Sequence, residues 1–172
     1  LTSELRLEEF FTPNYLFDFF SDLHQVPANL RKERKKHLFE IFGIDEFAEV
    51  KIANLSTGMK QKASLAISLV HDPDIVIFDE PTNGLDVLTA RVVTDFLLQL
   101  KEEGKTVIVS THIFSLIERI CDRVGIIING TMIECGTLAE ICAGKSLEDR
   151  FFDLYQDHVG REETNISGKE RA

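Results

Sequence analysis

Apolar residues recur at helical spacing in the first part of the chain and in short Val- and Ile-rich runs after residue 50. The first pattern predicts a helix from Pro13 to His24, with proline near its first turn, and a second from Ala28 to Phe42, with Gly43 as its stop. After residue 50 the chain alternates between helical and strand patterns. In order, these predict helix 58–71, strand 75–79, helix 87–102, strand 106–110, helix 113–120, and strands 124–128 and 131–134 joined by a tight turn at Asn129-Gly130.

Strands that are rich in valine and isoleucine and separated by helices are typical of a mostly parallel sheet covered by helices on both faces. The sequence therefore predicts an α/β fold with a small α-helical lobe in front of it. We expect a helical subdomain at 1–55, a core at 56–144 and a partly disordered extension at 145–172. The segment from Asp157 onward is polar and aperiodic, and we expect it to be mobile.

Composition limits the possible functions. The chain has 172 residues, of which 44% are hydrophobic and 28% charged, as in an ordinary soluble globular domain. The net charge of −10 argues against a general nucleic-acid-binding surface. The basic run at 31–36 is better explained as the solvated face of a helix than as an anion patch. Three cysteines without close paired spacing indicate neither a zinc site nor a disulfide framework, so a reducing compartment fits.

Two further patterns concern membranes and partners. No apolar run approaches 18 residues and no charged-then-apolar leader opens the chain, so we expect neither a membrane span nor a secretory signal. Residue 1 is a leucine, and we expect a fragment. The aromatic residues near the N-terminus exceed what one helix face can bury, which leaves some for a partner surface. They are Phe10, Phe11, Tyr15, Phe17, Phe19 and Phe20.

Polar residues follow two neighbouring strands of the predicted sheet, where parallel α/β sheets bind ligands. Asp79 and Glu80 end one strand, and the next leads into Thr111-His112. Taken singly, an Asp-Glu pair can be a turn start and a histidine a structural residue. Together they suit a hydrated divalent cation held by one acid while the other positions an attacking water. Asp86 is expected to cap the next helix in either case.

The stretch "LSTGMKQKASLAISLVHDPDIVIFDEPTNGLD", followed by "VIVSTH", closely resembles the C-terminal two-thirds of ATP-binding cassette (ABC) ATPases, the nucleotide-binding subunits of ABC transporters. The resemblance extends over about residues 1 to 142 and implies a partial P-loop NTPase fold. It implies that residues 55–59 form the signature loop, that Asp79 is the Walker B acid, which binds Mg²⁺ through water, and that Glu80 is the general base. It also implies that residues 83–86 form the D-loop and that His112 is the switch histidine.

The same resemblance implies half of a shared site. Ser56, Thr57 and Gly58 would face the γ-phosphate of an ATP held by a second ATPase subunit, where a helix N-terminus attracts anions and a glycine lets the backbone approach. Asp86 would reach across that interface, and His112 would contact the γ-phosphate. Thr57 stands where the family usually has a glycine. This variant, and "GTLAEI" after the hairpin, resemble the branch that exports drugs, polysaccharides or ions.

The phosphate-binding P-loop, G-x-x-x-x-G-K-[ST], is missing from the sequence. The Gly104-Lys105 pair would need a glycine where Gln99 stands, and Gly144-Lys145 would need one where Ala139 stands. In the family that loop lies farther upstream of the signature than the 55 residues present here. We therefore expect a fragment that does not hydrolyse ATP alone. For the family's glutamine at the joint with the helical lobe, the only candidate near the N-terminus is Ser3.

The resemblance predicts an ATP-hydrolysing subunit, using ATP and Mg²⁺, that powers export through a separate transmembrane permease subunit and works as a homo- or heterodimer. It would be cytoplasmic, peripheral on the inner face of the membrane, with no nucleic-acid partner. The alternative is a soluble ABC ATPase of DNA repair or translation, although such members usually carry long coiled coils or tandem cassettes. A third reading, a non-hydrolysing structural fragment, is weakened by the intact Asp79, Glu80 and His112.

Overall fold

The computed structural model describes residues 9–169, with side chains up to His158. In chain order the elements are α1 (Pro13–Leu23), α2 (Ala28–Phe42), α3 (Thr57–Ser68), β1 (Ile75–Asp79), α4 (Val87–Glu102), β2 (Thr106–Ser110), α5 (Phe114–Ile120), β3 (Arg123–Ile128), β4 (Thr131–Thr137), α6 (Leu138–Cys142) and α7 (Leu147–Lys169). The chain divides into two compact units between His112 and Ile113. The boundaries predicted at 55 and 144 stay predictions.

The helical lobe of the first unit begins and ends where local sequence signals place it. Thr12 caps α1 by accepting a hydrogen bond from the backbone N–H of Tyr15 at 3.2 Å, and Gly43 ends α2 in the left-handed conformation, with φ of 62°. Phe17 of α1 meets Phe39 of α2 edge to face, with ring centroids 5.4 Å apart. The two predicted helices are confirmed, and Phe17 and Phe39 are buried where they meet.

The strands β1 and β2 form a parallel pair in which Ile75 lies opposite Thr106 and Asp79 opposite Ser110. One face of the pair is buried and carries Phe78, whereas Ile77 and Ile108 on the other face are 57% and 51% exposed. The predicted α/β class is confirmed, but, contrary to the sequence prediction, helices do not cover both faces of the parallel strands in the described residues. Within the described residues the strands form two two-stranded sheets, one parallel and one antiparallel.

The second unit is built on an antiparallel hairpin of β3 and β4. Asn129 and Gly130 both have positive φ, 49° and 75°, as the predicted tight turn requires. The strand β4 continues three residues beyond the predicted end, to Thr137, which caps α6. The core of this unit includes Val124, Ile126, Ile128, Ile141 and Leu147.

The C-terminal extension forms regular structure. The polar segment from Asp157, which we expect to be mobile, continues α7 to Lys169 in the described residues. Its mobility stays a prediction. Buried Leu147 and the packing of Phe151 on Phe114, with ring centroids 5.5 Å apart, anchor the start of this helix. Once started, a helix gains one hydrogen bond for each residue added, so the apolar start supports a polar end. None of the described helices is both long and apolar enough to cross a membrane.

Candidate functional site

The carboxyl ends of β1 and β2 bring together the acids and the histidine that the sequence singled out. Because Asp79 pairs with Ser110 in the ladder, the residues that follow each strand leave the sheet side by side. The backbone N–H of Glu80 extends the ladder by donating to the carbonyl oxygen of Ser110 at 2.9 Å. The next residues on β2, Thr111 and His112, then reach the Glu80 side chain.

The Glu80 carboxylate is held by two donors. Its Oε1 lies 2.8 Å from Nδ1 of His112, and its Oε2 accepts a hydrogen bond from the Thr111 hydroxyl at 3.2 Å. Its backbone φ is +47°, a conformation that is sparsely populated outside glycine and that clusters at functional sites. Three-quarters of the Glu80 side chain is shielded, whereas the His112 ring is 72% exposed. The arrangement therefore presents an oriented carboxylate beside an accessible imidazole.

Asp79 has a donor of its own, because the Ser110 hydroxyl bonds to its Oδ1. The hydroxyl donors Ser110 and Thr111 were missed as site residues by the sequence reasoning. The available signal was their position between a strand and the histidine. Mg²⁺ keeps several waters and binds through one or two carboxylates plus substrate phosphates, so this oxygen-rich edge fits it. The described residues contain no group of three or more acidic, histidine or cysteine side chains that could hold a metal without such help.

The start of α3 carries the predicted signature residues. Ser56 caps the helix, and its hydroxyl oxygen accepts from the N–H of Met59 at 3.3 Å, which leaves its O–H able to donate. Thr57 and Gly58 form the first turn. A Cβ added to Gly58 would lie only 3.2 Å from the Thr89 hydroxyl of α4. Close packing of two helix starts is therefore a reason for this glycine that the sequence reasoning missed.

Asp86 caps α4, as predicted from the sequence. Its Oδ1 accepts from the backbone N–H groups of Leu88 and Thr89, each at 3.0 Å, and its Oδ2 from the Thr89 hydroxyl at 2.8 Å. The N–H and O–H of Thr89, the largest causes, hold the pKa of this carboxyl below its usual range. A contact across a subunit interface, which stays a prediction, would compete with these three bonds. Ser3 lies outside the described residues.

Comparisons with known proteins found a family model, relatives and a solved structure that match this chain. A family model described as "AAA domain, putative AbiEii toxin, Type IV TA system" matches residues 4–118. An uncharacterized ABC transporter ATP-binding protein of Methanocaldococcus jannaschii is 42% identical over 132 residues, 75% of this chain and 50% of that protein. The ABC transporter ATP-binding protein NatA of Bacillus subtilis is 36% identical over 131 residues, 76% of this chain and 53% of NatA.

A third relative, the probable multidrug ABC transporter ATP-binding protein YbhF of Escherichia coli, is 35% identical over 81% of this chain and 25% of YbhF. A solved structure titled "Structure of ATP binding subunit of ABC transporter" superposes with a TM-score of 0.80 at 28% identity, covering 87% of this chain and 64% of that one. The chain spans about half the length of the first two relatives. By these matches, the chain carries an AAA-type domain and belongs to the family of ABC transporter ATP-binding proteins.

Proposed function

We propose that this chain supplies the hydrolytic carboxylates and the signature half-site of an ABC ATPase that powers export through a separate membrane subunit. The observation that carries the proposal is the Glu80 carboxylate, held by Thr111 and His112 directly beside Asp79. General bases need a carboxylate in a fixed orientation within reach of the water they deprotonate. The names of the relatives, which include ABC transporter ATP-binding and probable multidrug transporter proteins, support the ATPase and export parts of the proposal.

Each residue has a role in this proposal. Glu80 orients and deprotonates the attacking water, and Asp79 is the residue that would hold Mg²⁺. His112, whose ring is largely exposed, turns toward the γ-phosphate as charge develops there. When bound, Mg²⁺ neutralises charge on the phosphates. Phosphoryl transfer depends mainly on positioning and electrostatics, and these are what the three side chains offer.

The signature residues act on a different nucleotide in the proposal. The free N–H groups at the start of α3, around Thr57 and Gly58, and the Ser56 hydroxyl face the γ-phosphate of an ATP bound by a second ATPase subunit. The positive end of the helix dipole favours this charge. Asp86 belongs to the same interface. Because the sequence lacks a P-loop motif, we propose that this chain alone does not hydrolyse ATP.

The membrane partner would dock on the helical lobe, which places the protein on the cytoplasmic face of the membrane. Phe11, just before α1, stacks on Tyr15 of that helix, and Tyr15 stacks on Phe19, with ring centroids 4.6 and 6.4 Å apart. They line a groove of about 510 Å³ and are 39%, 50% and 49% exposed. An exposed apolar patch of this kind marks an interaction surface.

The proposal can be tested in a chimera of NatA in which the 131 matched residues are replaced by those of this chain. We expect Mg²⁺-dependent ATP hydrolysis that Glu80→Gln lowers by at least about 100-fold, the usual contribution of a general base. Glu102→Gln, at an exposed position at the end of α4, is the matched control and should leave turnover unchanged. A folded chimera whose turnover is the same with and without Glu80→Gln would contradict the assignment.

The isolated chain offers a second test. It should show no ATP turnover above background, because no residue of its sequence forms the loop that holds the β-phosphate. Turnover by the purified chain that disappears on Glu80→Gln would overturn this part of the proposal and leave the role of Glu80 intact.

A further inference from the structure

Two consecutive hydroxyls at the end of β2 bond to two consecutive carboxylates at the end of β1. Ser110 donates to Asp79, and Thr111 donates to Glu80 at 3.2 Å. The parallel register, which places Asp79 opposite Ser110, brings each hydroxyl to its acid. Neither serine nor threonine can act as an acid or base under ordinary conditions, so their contribution is to fix the position of the carboxylates.

The two carboxylate oxygens of Glu80 contact different residues, and the side chains of these residues differ in conformational freedom. His112 contacts Oε1, and its ring is 72% exposed, so it is able to turn toward a ligand. Thr111 contacts Oε2, immediately follows the paired residue Ser110, and has a short β-branched side chain with few rotamers. When His112 turns away, the Thr111 hydrogen bond is the one that remains on the carboxylate.

The backbone alone does not determine where this carboxylate points. The N–H of Glu80 is fixed by the Ser110 carbonyl at 2.9 Å, and its φ of +47° sets the direction in which the side chain leaves the chain. Several rotatable side-chain bonds lie between that backbone and the oxygens, and each has more than one staggered position. A side-chain donor is needed to select one of them.

We propose that Thr111 is a positioning residue, whose hydroxyl keeps the Glu80 carboxylate oriented while His112 exchanges between Glu80 and a ligand. The inference rests on the proposed function, in which Glu80 is the base. Helix capping and the backbone hydrogen bonds between the strands do not explain the contact of Thr111 with Glu80, and the proposal gives this contact a role. Ser110 acts in the same way on Asp79.

The test uses the 172-residue chain and the ¹⁵N chemical shifts of the His112 ring at about pH 8.5, where ordinary imidazoles are neutral. A neutral ring that donates from Nδ1 to Glu80 carries its proton on Nδ1, whereas an unbonded ring favours Nε2. Thr111→Val keeps the shape and removes the donor. We expect the ratio of the Nδ1–H to the Nε2–H form to fall about fivefold, the effect of losing one net hydrogen bond.

Two controls make the result specific. Thr111→Ser restores the hydroxyl and should return the ratio to that of the unchanged chain, while Glu80→Ala should give the largest shift toward Nε2–H. Circular dichroism of each variant checks that the fold is kept. An unchanged tautomer ratio in folded Thr111→Val, or a ratio that Thr111→Ser does not restore, would overturn the inference.

The NatA chimera separates this inference from the proposed function. If the chimera hydrolyses ATP, Thr111→Val should lower kcat about tenfold with little change in KM, because the lost interaction orients the base and does not bind substrate. An unchanged kcat in an active chimera would contradict the positioning role of Thr111 and leave the proposed function intact. An inactive chimera would count against the proposed function, while the ring measurement would still decide whether Thr111 holds Glu80.

Discussion

At the residue scale, Gly58 is where packing and helix propensity make opposite demands. Alanine is favoured over glycine inside helices by about 1 kcal/mol, which alone would stabilise Gly58→Ala. The added Cβ, however, would press at 3.2 Å on the hydroxyl of Thr89, which is 7% exposed and bonded to Asp86. We expect the contact to prevail and thermal denaturation to show a melting temperature lower by a few degrees, since about 1 kcal/mol shifts it by about 2–8 °C.

The reason for the Gly58 effect can be checked with variants of two neighbouring residues, Thr57 and Thr89. Thr57→Ala changes the neighbouring exposed residue and should leave the melting temperature nearly unchanged. In the background of Thr89→Ala, which removes the crowded atoms, Gly58→Ala should cost less than in the unchanged chain. A melting temperature that rises on Gly58→Ala would show that the close contact with α4 does not constrain this position.

At the element scale, the ends of α1 and α3 meet through a pair of histidines. The rings of His24 and His71 stack with centroids 4.3 Å apart at 13°. Burial, and after it the nearby His24 and Arg34, lower the pKa of His71, and Asp72 opposes this shift. Arg34 is fixed there because it donates to the Val70 carbonyl at 3.0 Å. A second positive charge in this cluster is therefore disfavoured in the folded chain.

The lowered pKa of His71 fixes the sign of a pH dependence. Because the unfolded chain binds this proton more readily, the stability that neutral His71 contributes is complete above about pH 6.5 and is lost as the pH falls through the folded-state pKa. We expect melting temperatures measured from about pH 8 to pH 5.5 to decline toward acid, and His71→Gln to decline less. His37→Gln, on the exposed side of α2, is the control. Equal slopes for the two variants would contradict the prediction.

The strand β1 allows a comparison of its two faces. Phe78, at 1% exposure, is part of the core, whereas Ile77, at 57%, lies on the open face. Denaturant titration should show a loss of about 3–5 kcal/mol for Phe78→Ala and much less for Ile77→Ala. If Phe78→Ala does not fold, Phe78→Leu gives the smaller loss to compare. Similar losses at both positions would mean that the open face is covered in solution.

The sequence predicted best those elements whose ends are determined locally. The bounds of α2 and α4 agree with the prediction because Gly43 and Asp86 are caps that can be read from a few residues. Helix α3 ends at Ser68, three residues early, since the turn after it is shaped by contacts such as Arg34 with Val70. The Thr111 bond to Glu80 depends on strand register, which residue pattern alone does not give.

The features of the candidate site also divide into those that the sequence predicts and those that depend on the fold. The grouping of Asp79, Glu80 and His112 could be predicted because carboxyl ends of parallel strands share an edge. The packing of Gly58 on Thr89 joins residues 31 positions apart on two helices and needs the fold itself. The open face of β1 and β2 was mispredicted for a related reason: apolar composition shows that a face can be buried, and only the covering elements decide whether it is.

At the scale of the whole molecule, the parallel pair presents both an apolar face and open strand edges. Within the described residues, β1 and β2 pair only with each other. Ile75, Ile77 and Ile108 on the open face are 60%, 57% and 51% exposed. Unpaired edges next to exposed apolar side chains are templates for association, and burying each isoleucine would gain about 1.5–3 kcal/mol.

We therefore expect the purified chain to self-associate, so that sedimentation velocity shows larger species and the melting temperature changes as the concentration is raised about 100-fold. The double variant Ile77→Lys/Ile108→Lys replaces apolar side chains of the open face with positive charges. Because lysines on exposed strands oppose association, it should shift the chain toward monomer. Val87→Lys is the control, because Val87 is 84% exposed but lies outside the parallel pair. A clean monomer with a sharp transition that does not depend on concentration would show that the open face needs no partner.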